Sequence, residues 1–331
     1  MSPTVPHHLL RRSRRRWGDD EILVFAGSAS PRLTAAISHH LELDPARGEV
    51  LRFSEGTLFV RVRENVRGRN VYVVQSTVFP TNDNFMELLF WIDALRRASA
   101  ASVTAVVPYF SYGKGDKKDE PRVSIRARVC ADAIEVAGAD RVVTMDLHAP
   151  QIQGFFRIPV DDLYALPLLC DAIDELRLAD PVVVSPDAGF AKRARRFARR
   201  LGAPLAIVDK LREDHDEAAR ATDVIGEVDG RDAVIVDDFT VSGGTVAEAA
   251  GQLALRGARS VTVALTHGVF AEDSMERLEA SPIERLIVTD TVETQPVALS
   301  SKVSVVSVAP LFAEAIWRIH QRESISVLFP S

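Results

Sequence analysis

The chain has 331 residues, of which 47% are hydrophobic and 26% are charged, the composition of a globular protein with a full core. Its net charge of -6 argues against general nucleic-acid binding, and no apolar run approaches the roughly 20 residues that span a bilayer, so no membrane association is expected. Its two cysteines, Cys130 and Cys170, indicate neither a disulfide framework nor a metal cluster, which favours a reducing, cytoplasmic location.

The amino terminus is rich in arginine. Five arginines lie between positions 11 and 16, and a polar segment separates them from the short apolar run Ile22–Ala26. A signal peptide needs a longer apolar segment after such a cluster. We therefore predict a flexible basic tail over residues 1–20, with a contact to nucleic acid or another acidic surface as the alternative.

Short apolar runs alternate with helical patterns through the rest of the chain. The runs typical of strands are Ile22–Ala26, Val71–Val74, Val103–Val107, Arg141–Met145, Val182–Ser185, Ala203–Val208, Ala233–Val236, Val261–Thr266, Arg285–Val288 and Val303–Val306. The patterns typical of helices are Pro31–Leu41, Asp83–Ala98, Ile125–Ala137, Tyr164–Leu176, Ala188–Leu201, Val246–Arg256 and Ala309–Arg322. This alternation predicts an α/β fold, with mostly parallel sheets and helices on both faces.

The alternation falls into two halves of similar size. A seam lies near Phe156–Leu166, where the run Val160–Pro167 is typical of a linker. The predicted domains are therefore residues 21–163 and 164–331, after the tail of residues 1–20. Ligands of parallel sheets bind beyond the carboxyl ends of the strands, so polar residues at those ends are the candidates for function.

Two such candidates lie in the first half. The strand Val103–Val107 is followed by a glycine-containing loop with Lys114, Lys117 and Lys118, which suits a polyphosphate or is an ordinary solvated loop. His148 follows the strand Arg141–Met145 and is either a ligand contact or a structural histidine. Both positions fit the edge of a sheet where ligands bind.

In the second half, Asp187 ends the strand Val182–Ser185 and precedes Gly189. A carboxylate there can bind a metal or a metal diphosphate, or it can cap the next helix. The cations of that helix, from Lys192 to Arg200, are typical of a solvated face. Further along, Lys210 and Arg212 stand at the root of a charged stretch over residues 213–223, which indicates a mobile lid with a cationic pair.

The most informative stretch runs from Ala233 to Val246. An apolar strand ends at Asp237 and Asp238, and a loop containing Gly243 and Gly244 opens a helix. Glycines let the backbone approach a ligand, and the N–H groups at a helix start suit a phosphate. Two carboxylates beside such a loop can hold a vicinal diol. The stretch therefore predicts a ribose-phosphate site, against the alternative of plain caps and turns.

These pieces, in this order, resemble the ribose-phosphate diphosphokinases, also called PRPP synthetases, from about Ile22 to Phe329. The resemblance rests on the runs Glu64-Asn-Val-Arg-Gly, Gln75-Ser-Thr, Pro80-Thr-Asn-Asp-Asn, Met86-Glu-Leu, Asp93-Ala-Leu-Arg-Arg-Ala-Ser, Asp146-Leu-His-Ala, Gln151-Ile-Gln-Gly-Phe-Phe, Val184-Ser-Pro-Asp, Val236-Asp-Asp and Glu323-Ser-Ile-Ser. A phosphoribosyltransferase shares only the central phosphate loop.

The resemblance implies two phosphoribosyltransferase-like domains, with the ATP side in the first and the ribose 5-phosphate side in the second. It implies transfer of the diphosphoryl group of Mg-ATP to the 1-hydroxyl of ribose 5-phosphate, which releases AMP and gives 5-phosphoribosyl 1-diphosphate. It further implies a magnesium ion (Mg²⁺) as the cofactor and a homo-oligomer, at least a dimer and commonly a hexamer.

The resemblance also assigns roles to residues of this chain. The ribose hydroxyls and the 5-phosphate are assigned to Asp237, Asp238, Thr240, Ser242, Gly243, Gly244 and Thr245. The transfer step is assigned to Lys210, Arg212 and His148, and the metal–triphosphate site to His148 and Asp187. The nucleotide is assigned to Lys114, Asp116 and Lys117, and to Phe53 and Glu55 reaching in from a neighbouring subunit.

The chain departs from the family pattern at several of these places. Many members carry another acid at Val241, and the ATP loop commonly reads Arg-Gln-Asp-Arg where this chain has Lys114-Gly-Asp-Lys117. Thr57 stands where many members have Glu, and Phe190 replaces a glycine. Lysine keeps the charge of arginine but loses its bidentate phosphate geometry, so altered nucleotide handling is expected.

Two other functions fit parts of the sequence. A non-catalytic regulatory homologue of the synthetase is suggested by the altered ATP loop, although Lys210, Arg212, His148 and Asp187 are retained. A phosphoribosyltransferase is suggested by the central loop, although the second α/β half does not favour it. The expected partners are therefore ATP, ribose 5-phosphate and further copies of the chain, with no nucleic acid.

Overall fold

The computed structural model describes residues 22–212, 220–271, 274–293 and 300–329, without the side chains of residues 209–212 and 220–222. The described residues divide into two compact units. The first comprises residues 22–164, Thr291–Glu293 and 307–329, and the second comprises the described residues of 165–290 and 300–306. The predicted tail of residues 1–20 lies outside the described part.

The first unit is built on a parallel sheet of five strands. Its strands and helices are β1 (Leu23–Ala26), α1 (Pro31–His40), β2 (Gly48–Arg52), β3 (Leu58–Val62), β4 (Asn70–Val74), α2 (Thr81–Arg97), β5 (Ser102–Val107), α3 (Arg126–Ala137), β6 (Arg141–Met145) and β7 (Val160–Leu163). The order is β1-β4-β5-β6-β7, with every pair parallel. The central strands read as apolar runs because both faces of the sheet are covered.

Strands β2 and β3 form a separate antiparallel hairpin, with Gly48 opposite Val62. Its sequence does not show a clear strand pattern, because side chains such as Leu51, at 45% exposure, weaken the contrast between its two faces. The hairpin packs on α2 so closely that a Cβ at Gly48 would lie 2.2 Å from Cη2 of Trp91. Glycine at this position allows the contact.

The predicted linker Val160–Pro167 is wrong in part. Residues Val160–Leu163 form the edge strand β7 and pair with β6. Asp162 is buried there, and its Oδ1 accepts a hydrogen bond from the Leu147 N–H at 3.1 Å. The charged run looked like a linker because the sequence does not show that a buried aspartate can be satisfied by a backbone N–H.

The second unit is built on a sheet of seven strands. Its elements are α4 (Leu166–Glu175), β8 (Pro181–Ser185), α5 (Ala191–Leu201), β9 (Leu205–Arg212), β10 (Arg220–Ile225), β11 (Asp232–Thr240), α6 (Gly244–Leu255), β12 (Ser260–Gly268), α7 (Ser274–Glu279), β13 (Arg285–Thr289) and β14 (Val303–Val306). The order is β10-β9-β8-β11-β12-β13-β14, and within it only β10 runs antiparallel to its neighbour. The predicted α/β fold with mostly parallel sheets is confirmed.

The last helix, α8 (Ala309–His320), follows the final strand of the second unit in sequence but belongs to the first unit and packs against α1. Its buried face includes Phe312 and Ile316. In each unit, alternate side chains of the strands, which share one face of the sheet, form an apolar core with the helices that cover that face. Burial of these side chains is the main source of stability for each unit.

Within the residues that the structure describes, helices that are both long and apolar enough to traverse a bilayer do not occur.

Candidate functional site

The strand order of the second unit reverses direction between β8 and β11. From β8 the chain continues outward to β9, and from β11 it continues to β12 on the other side. Loops diverge at such a switch point and leave a crevice beyond the carboxyl ends of the strands. Asp187 follows β8, and Asp237 and Asp238 lie near the end of β11, so the fold brings the predicted acids to this crevice.

Asp237 and Asp238 are held by the backbone of β11. The Asp238 N–H donates to Asp237 Oδ1 at 2.9 Å, and the Phe239 N–H donates to Asp238 Oδ1 at 3.0 Å. Burial raises the pKa of Asp237 well above its ordinary value, and the neighbouring charges of Asp238 and Asp187 raise it further. The site therefore concentrates negative charge that hydroxyl donors or a cation would relieve.

A cation from α5 already contacts this pair of acids. Arg193 Nη1 lies 3.5 Å from Asp238 Oδ2, and the side chain of Asp238 is only 6% exposed. The guanidinium also lies 5.7 Å from the centre of the Phe190 ring. The interpretation of the α5 cations as a solvated face does not hold for Arg193, because it turns toward the end of β11 and orients Asp238.

The loop from Thr240 to Thr245 joins β11 to α6. The Gly243 N–H donates to Thr240 Oγ1 at 3.1 Å, and the Gly244 N–H lies 3.4 Å from Ser242 Oγ. Gly243 has a φ of 71° at the N-cap of α6, where no described side chain caps the helix. Glycine is favoured at such a φ, and the uncapped first turn presents N–H groups suited to a phosphate.

Arg277 on the short helix α7 packs against this loop. Its Nη1 donates to the Ser242 carbonyl oxygen at 3.1 Å, and a Cβ at Gly244 would lie 3.5 Å from the same nitrogen. Sequence reasoning missed Arg277 because it lies 35 residues from Ser242 and belongs to no recognisable motif. It adds positive charge beside the predicted phosphate loop.

Asp187 both caps a turn and faces the other acids. Its Oδ1 accepts a hydrogen bond from the Phe190 N–H at 2.9 Å, and its main-chain oxygen accepts one from Ser185 Oγ at 2.7 Å. Its charge also contributes to the raised pKa of Asp237. The capping and the ligand-binding interpretations of Asp187 are therefore compatible.

Lys210 and Arg212 lie at the end of β9, which extends beyond the predicted end at Val208. In the antiparallel pair with β10, Lys210 is opposite Thr222 and Arg212 is opposite Arg220. Their side chains lie outside the described part of the chain, as do residues 213–219 of the predicted lid. The prediction of a mobile lid is wrong for residues 220–223, which pair with β9 as part of β10. The roles of Lys210 and Arg212 in the transfer step stay predictions.

In the first unit, the loop after β5 lies close to the residues that follow β6. Lys114 ends a 3₁₀ turn, and Asp116 Oδ2 accepts a hydrogen bond from Gln151 Nε2 at 3.3 Å. A Cβ at Gly113 would lie 3.9 Å from the Cβ of His148, which is exposed. Two of the predicted segments, the loop with Lys114 and Lys117 and the segment with His148, are thus brought together.

Phe53 and Glu55 lie at the tip of the β2–β3 hairpin. The Phe53 N–H donates to the Thr57 carbonyl oxygen at 2.9 Å, and the Phe53 side chain is 47% exposed. The Glu55 carboxylate accepts hydrogen bonds from its own N–H and from Thr57 Oγ1, which lower its pKa. An exposed aromatic ring beside an ionised carboxylate suits contact with a partner outside this unit.

The candidate donors for a metal ion are carboxylates of the second unit. Among the described residues, no group of three or more His, Cys, Asp or Glu side chains is placed to hold a metal. Mg²⁺ commonly takes one or two carboxylates and completes its shell with substrate oxygens and water. Asp187 and Asp237 offer such oxygens and repel each other, so the donor set fits Mg²⁺ bound together with a phosphate ligand.

Comparison with known proteins shows the family to which the chain is similar. The N-terminal domain model of ribose phosphate pyrophosphokinase matches residues 22–138, and the phosphoribosyl synthetase-associated domain model matches residues 220–330. A ribose-phosphate pyrophosphokinase of Caldanaerobacter subterraneus subsp. tengcongensis is 48% identical, covering 94% of this chain and 98% of that protein. One of Rhizobium meliloti is also 48% identical, covering 92% and 99%.

The fold has a solved counterpart of similar length. The crystal structure of phosphoribosylpyrophosphate synthetase from Mycobacterium smegmatis superposes with a TM-score of 0.86 at 38% identity. The match covers 91% of this chain and 99% of that structure, so it includes the elements of both units.

Proposed function

The chain belongs to the ribose-phosphate pyrophosphokinase family, and we propose which of its residues hold the two substrates and act on the transferred group. The chain is an enzyme with phosphoribosyltransferase-like α/β units. It transfers the diphosphoryl group of ATP to the 1-hydroxyl of ribose 5-phosphate and gives AMP and 5-phosphoribosyl 1-diphosphate. The prediction of an active diphosphokinase is confirmed, and no observation favours the regulatory homologue or the phosphoribosyltransferase.

Ribose 5-phosphate is assigned to the end of β11, and the arrangement of residues there is the main support for this assignment. Asp237 and Asp238 accept the ribose 2- and 3-hydroxyls, which relieves their mutual repulsion by hydrogen bonding. The backbone N–H groups and hydroxyls of Thr240, Ser242, Gly243, Gly244 and Thr245 bind the 5-phosphate at the start of α6. Arg193 orients Asp238 through the contact at 3.5 Å.

The nucleotide is assigned to two parts of the first unit. Lys114, Asp116 and Lys117 lie in the loop after β5, where the two lysines bind triphosphate oxygens. Phe53 and Glu55 contact the adenosine of a nucleotide bound to a neighbouring subunit, for which the exposed tip of the hairpin is suited. This assignment requires a homo-oligomer, at least a dimer and by resemblance a hexamer.

We assign the cofactor Mg²⁺ to Asp187, and contacts with the triphosphate oxygens to His148. When bound, Mg²⁺ neutralises charge on the triphosphate. Carboxylate oxygens are its preferred protein ligands, whereas the imidazole of His148 suits a hydrogen bond to a phosphate oxygen better than a place on Mg²⁺. The family and the cysteine content together favour a cytoplasmic enzyme.

The chain's contribution to the reaction is positioning and charge. The 1-hydroxyl oxygen of ribose 5-phosphate forms a bond to the β-phosphorus, the bond from that phosphorus to the α-phosphate oxygen breaks, and AMP leaves with that oxygen. Negative charge grows on the leaving and non-bridging oxygens, and Lys210, Arg212 and His148 stabilise it. No strong base is needed, because an anomeric hydroxyl is more acidic than an ordinary alcohol.

Substitution of Lys210 tests whether this residue acts in the transfer step rather than in the binding of ribose 5-phosphate. We expect Lys210→Ala to lower kcat by about 100-fold or more, the effect of removing a group that stabilises transition-state charge. The KM for ribose 5-phosphate should change less than about threefold, since that substrate is held by β11 and α6. Steady-state kinetics with both substrates varied measures both quantities, and equal changes in kcat and in ribose 5-phosphate binding would contradict the assignment.

A further inference from the structure

In the nucleotide loop, Gly115 has no side chain, and the side chain of another residue, Arg126, lies where one would be. Gly115 lies between Lys114 and Asp116, and a Cβ at Gly115 would lie 2.5 Å from Arg126 Nε and 3.2 Å from Arg126 Cζ. A Cβ contact of 2.5 Å does not occur in proteins, so the side chain of Arg126, with its Nε foremost, occupies the space that a side chain at position 115 would need.

The backbone keeps Arg126 over the loop. Arg126 is the first residue of α3, and the N–H of the next residue, Ala127, donates to the Gly115 carbonyl oxygen at 3.1 Å. The loop and the first turn of α3 are therefore fixed to each other. The Arg126 side chain is exposed as a whole, so its guanidinium can reach a ligand at the loop.

The charges at the start of α3 do not stabilise a cation at Arg126. A cation at the first position of a helix is disfavoured by the helix dipole, and the first turn of α3 contains no acidic residue. Residues 114–120 of the adjacent loop contain three lysines and three acids, of which Asp116 accepts a hydrogen bond from Gln151, so this segment alone has no excess of positive charge. A further guanidinium beside these lysines raises the local positive potential, which a polyphosphate would neutralise.

We propose that Arg126 is a nucleotide-binding residue that contacts the triphosphate of ATP across Gly115. This inference rests on the proposed placement of ATP at the loop with Lys114 and Lys117. Arg126 supplies a planar guanidinium, which binds two phosphate oxygens at once, whereas each lysine supplies a point charge. Gly115 is then required because any side chain there displaces Arg126.

Calorimetric titration of the full chain with Mg-ATP, without ribose 5-phosphate, tests the proposal. We expect Arg126→Ala to raise the Kd for Mg-ATP by about tenfold, the scale of one charge-assisted contact, and Arg126→Lys to fall between it and the unaltered chain. The matched control is Arg128→Ala on the same helix, where Arg128 pairs with Asp132 at 2.8 Å. That control should bind Mg-ATP within about twofold of the unaltered chain.

A second pair of variants tests the role of Gly115. Gly115→Gln should weaken Mg-ATP binding about as much as Arg126→Ala, because it pushes the guanidinium aside. The double variant should then bind no worse than Arg126→Ala alone. In kinetics, each variant should raise the KM for ATP and leave the KM for ribose 5-phosphate unchanged.

The outcomes separate this inference from the function it rests on. If the unaltered chain binds Mg-ATP but Arg126→Ala binds as tightly as Arg128→Ala, the role of Arg126 is wrong and the placement of ATP stands. If the fold-changes in the Kd for Mg-ATP from Gly115→Gln and Arg126→Ala multiply in the double variant, the two residues act independently and the role of Arg126 is also wrong. If Lys114→Ala and Lys117→Ala leave Mg-ATP binding unchanged, the placement of ATP at this loop fails, and the inference fails with it.

Discussion

At the scale of single residues, the acids at the end of β11 are placed for binding at a cost in stability. Asp237 has a raised pKa because it is buried beside Asp238 and near Asp187. A raised carboxyl pKa contributes stability that is present below the unfolded pKa of about 4 and is lost as pH rises through the folded pKa. In the enzyme without ligands, the charge of Asp237 should therefore lower the free energy of unfolding at neutral pH.

Asp237→Asn removes the charge and keeps the size. We expect the variant without ligands to be more stable at pH 7 by about 1 kcal/mol, the scale of one relieved like-charge contact, and to lose this advantage near pH 4. The KM for ribose 5-phosphate should rise about tenfold or more, since the proposed acceptor of a ribose hydroxyl is lost. Thermal unfolding at both pH values and kinetics measure these effects; an unstable variant with an unchanged KM would refute the account.

Arg277 is the second residue whose role depends on the fold. Its hydrogen bond to the Ser242 carbonyl oxygen supports the phosphate loop from outside the motif. We expect Arg277→Ala to raise the KM for ribose 5-phosphate about five- to tenfold with a smaller change in kcat, because a loop contact and a nearby positive charge are lost. The control is Glu276→Gln on the same helix, and an equal effect of the control would argue against a specific role for Arg277.

At the scale of elements, the junction between β11 and α6 depends on the conformation of one glycine. A Cβ at Gly243 would lie 3.0 Å from Leu278 Cγ, at a φ of 71°. We expect Gly243→Ala to cost about 1–2 kcal/mol of stability and to weaken ribose 5-phosphate binding, because the loop must shift.

Gly251 provides the matched control within α6. A Cβ at Gly251 meets nothing within 4 Å, so Gly251→Ala should stabilise the protein by about 0.5–1 kcal/mol through helix propensity alone. Urea unfolding of the two alanine variants measures both effects. Equal stability of the two variants would show that the conformation of Gly243 is not required.

The sequence predicted the elements with strong apolar periodicity and missed those without it. All the predicted strand runs and helical patterns correspond to strands and helices of the structure. The β2–β3 hairpin was missed because half-exposed strands give weak alternation, and β7 because its acids resembled a linker. Apolar periodicity indicates which side chains are buried, so it does not identify a strand that is defined by backbone pairing alone.

The candidate site could be predicted only where its residues are adjacent in the sequence. The motifs around Asp187, Asp237 and Gly243 are local, since strand, loop and helix follow one another. Arg193, Arg277 and Arg126 act through contacts that depend on how α5, α7 and α3 pack. The sequence around a single cation on a helix does not show which loop the cation contacts, so the contacts of these three arginines are seen only in the structure.

At the scale of the whole molecule, the proposed contact of Phe53 with a nucleotide on another subunit has a direct test by mixing. Phe53→Ala removes the exposed ring from the hairpin tip, and Lys210→Ala removes the cation that is proposed to act in the transfer step. If sites are shared between subunits, a mixed oligomer contains sites with both residues intact.

We expect the mixture of these two impaired variants, after subunit exchange, to regain activity above the sum of the separate proteins. The thermal stability of Phe53→Ala should match that of the unaltered chain, because the ring is 47% exposed. Activity of the mixture equal to that sum, with exchange shown by size or mass analysis, would mean that each site is completed within one chain.

The most direct test of the central claim follows the fate of the β-phosphorus. The purified chain would be incubated with Mg²⁺, ribose 5-phosphate and ATP labelled at the β-phosphate, and all the products would be quantified together. We expect one AMP for each 5-phosphoribosyl 1-diphosphate, the label wholly in the latter, and no AMP without ribose 5-phosphate. Release of the label as inorganic phosphate or ADP, or AMP formation independent of ribose 5-phosphate, would contradict this expectation.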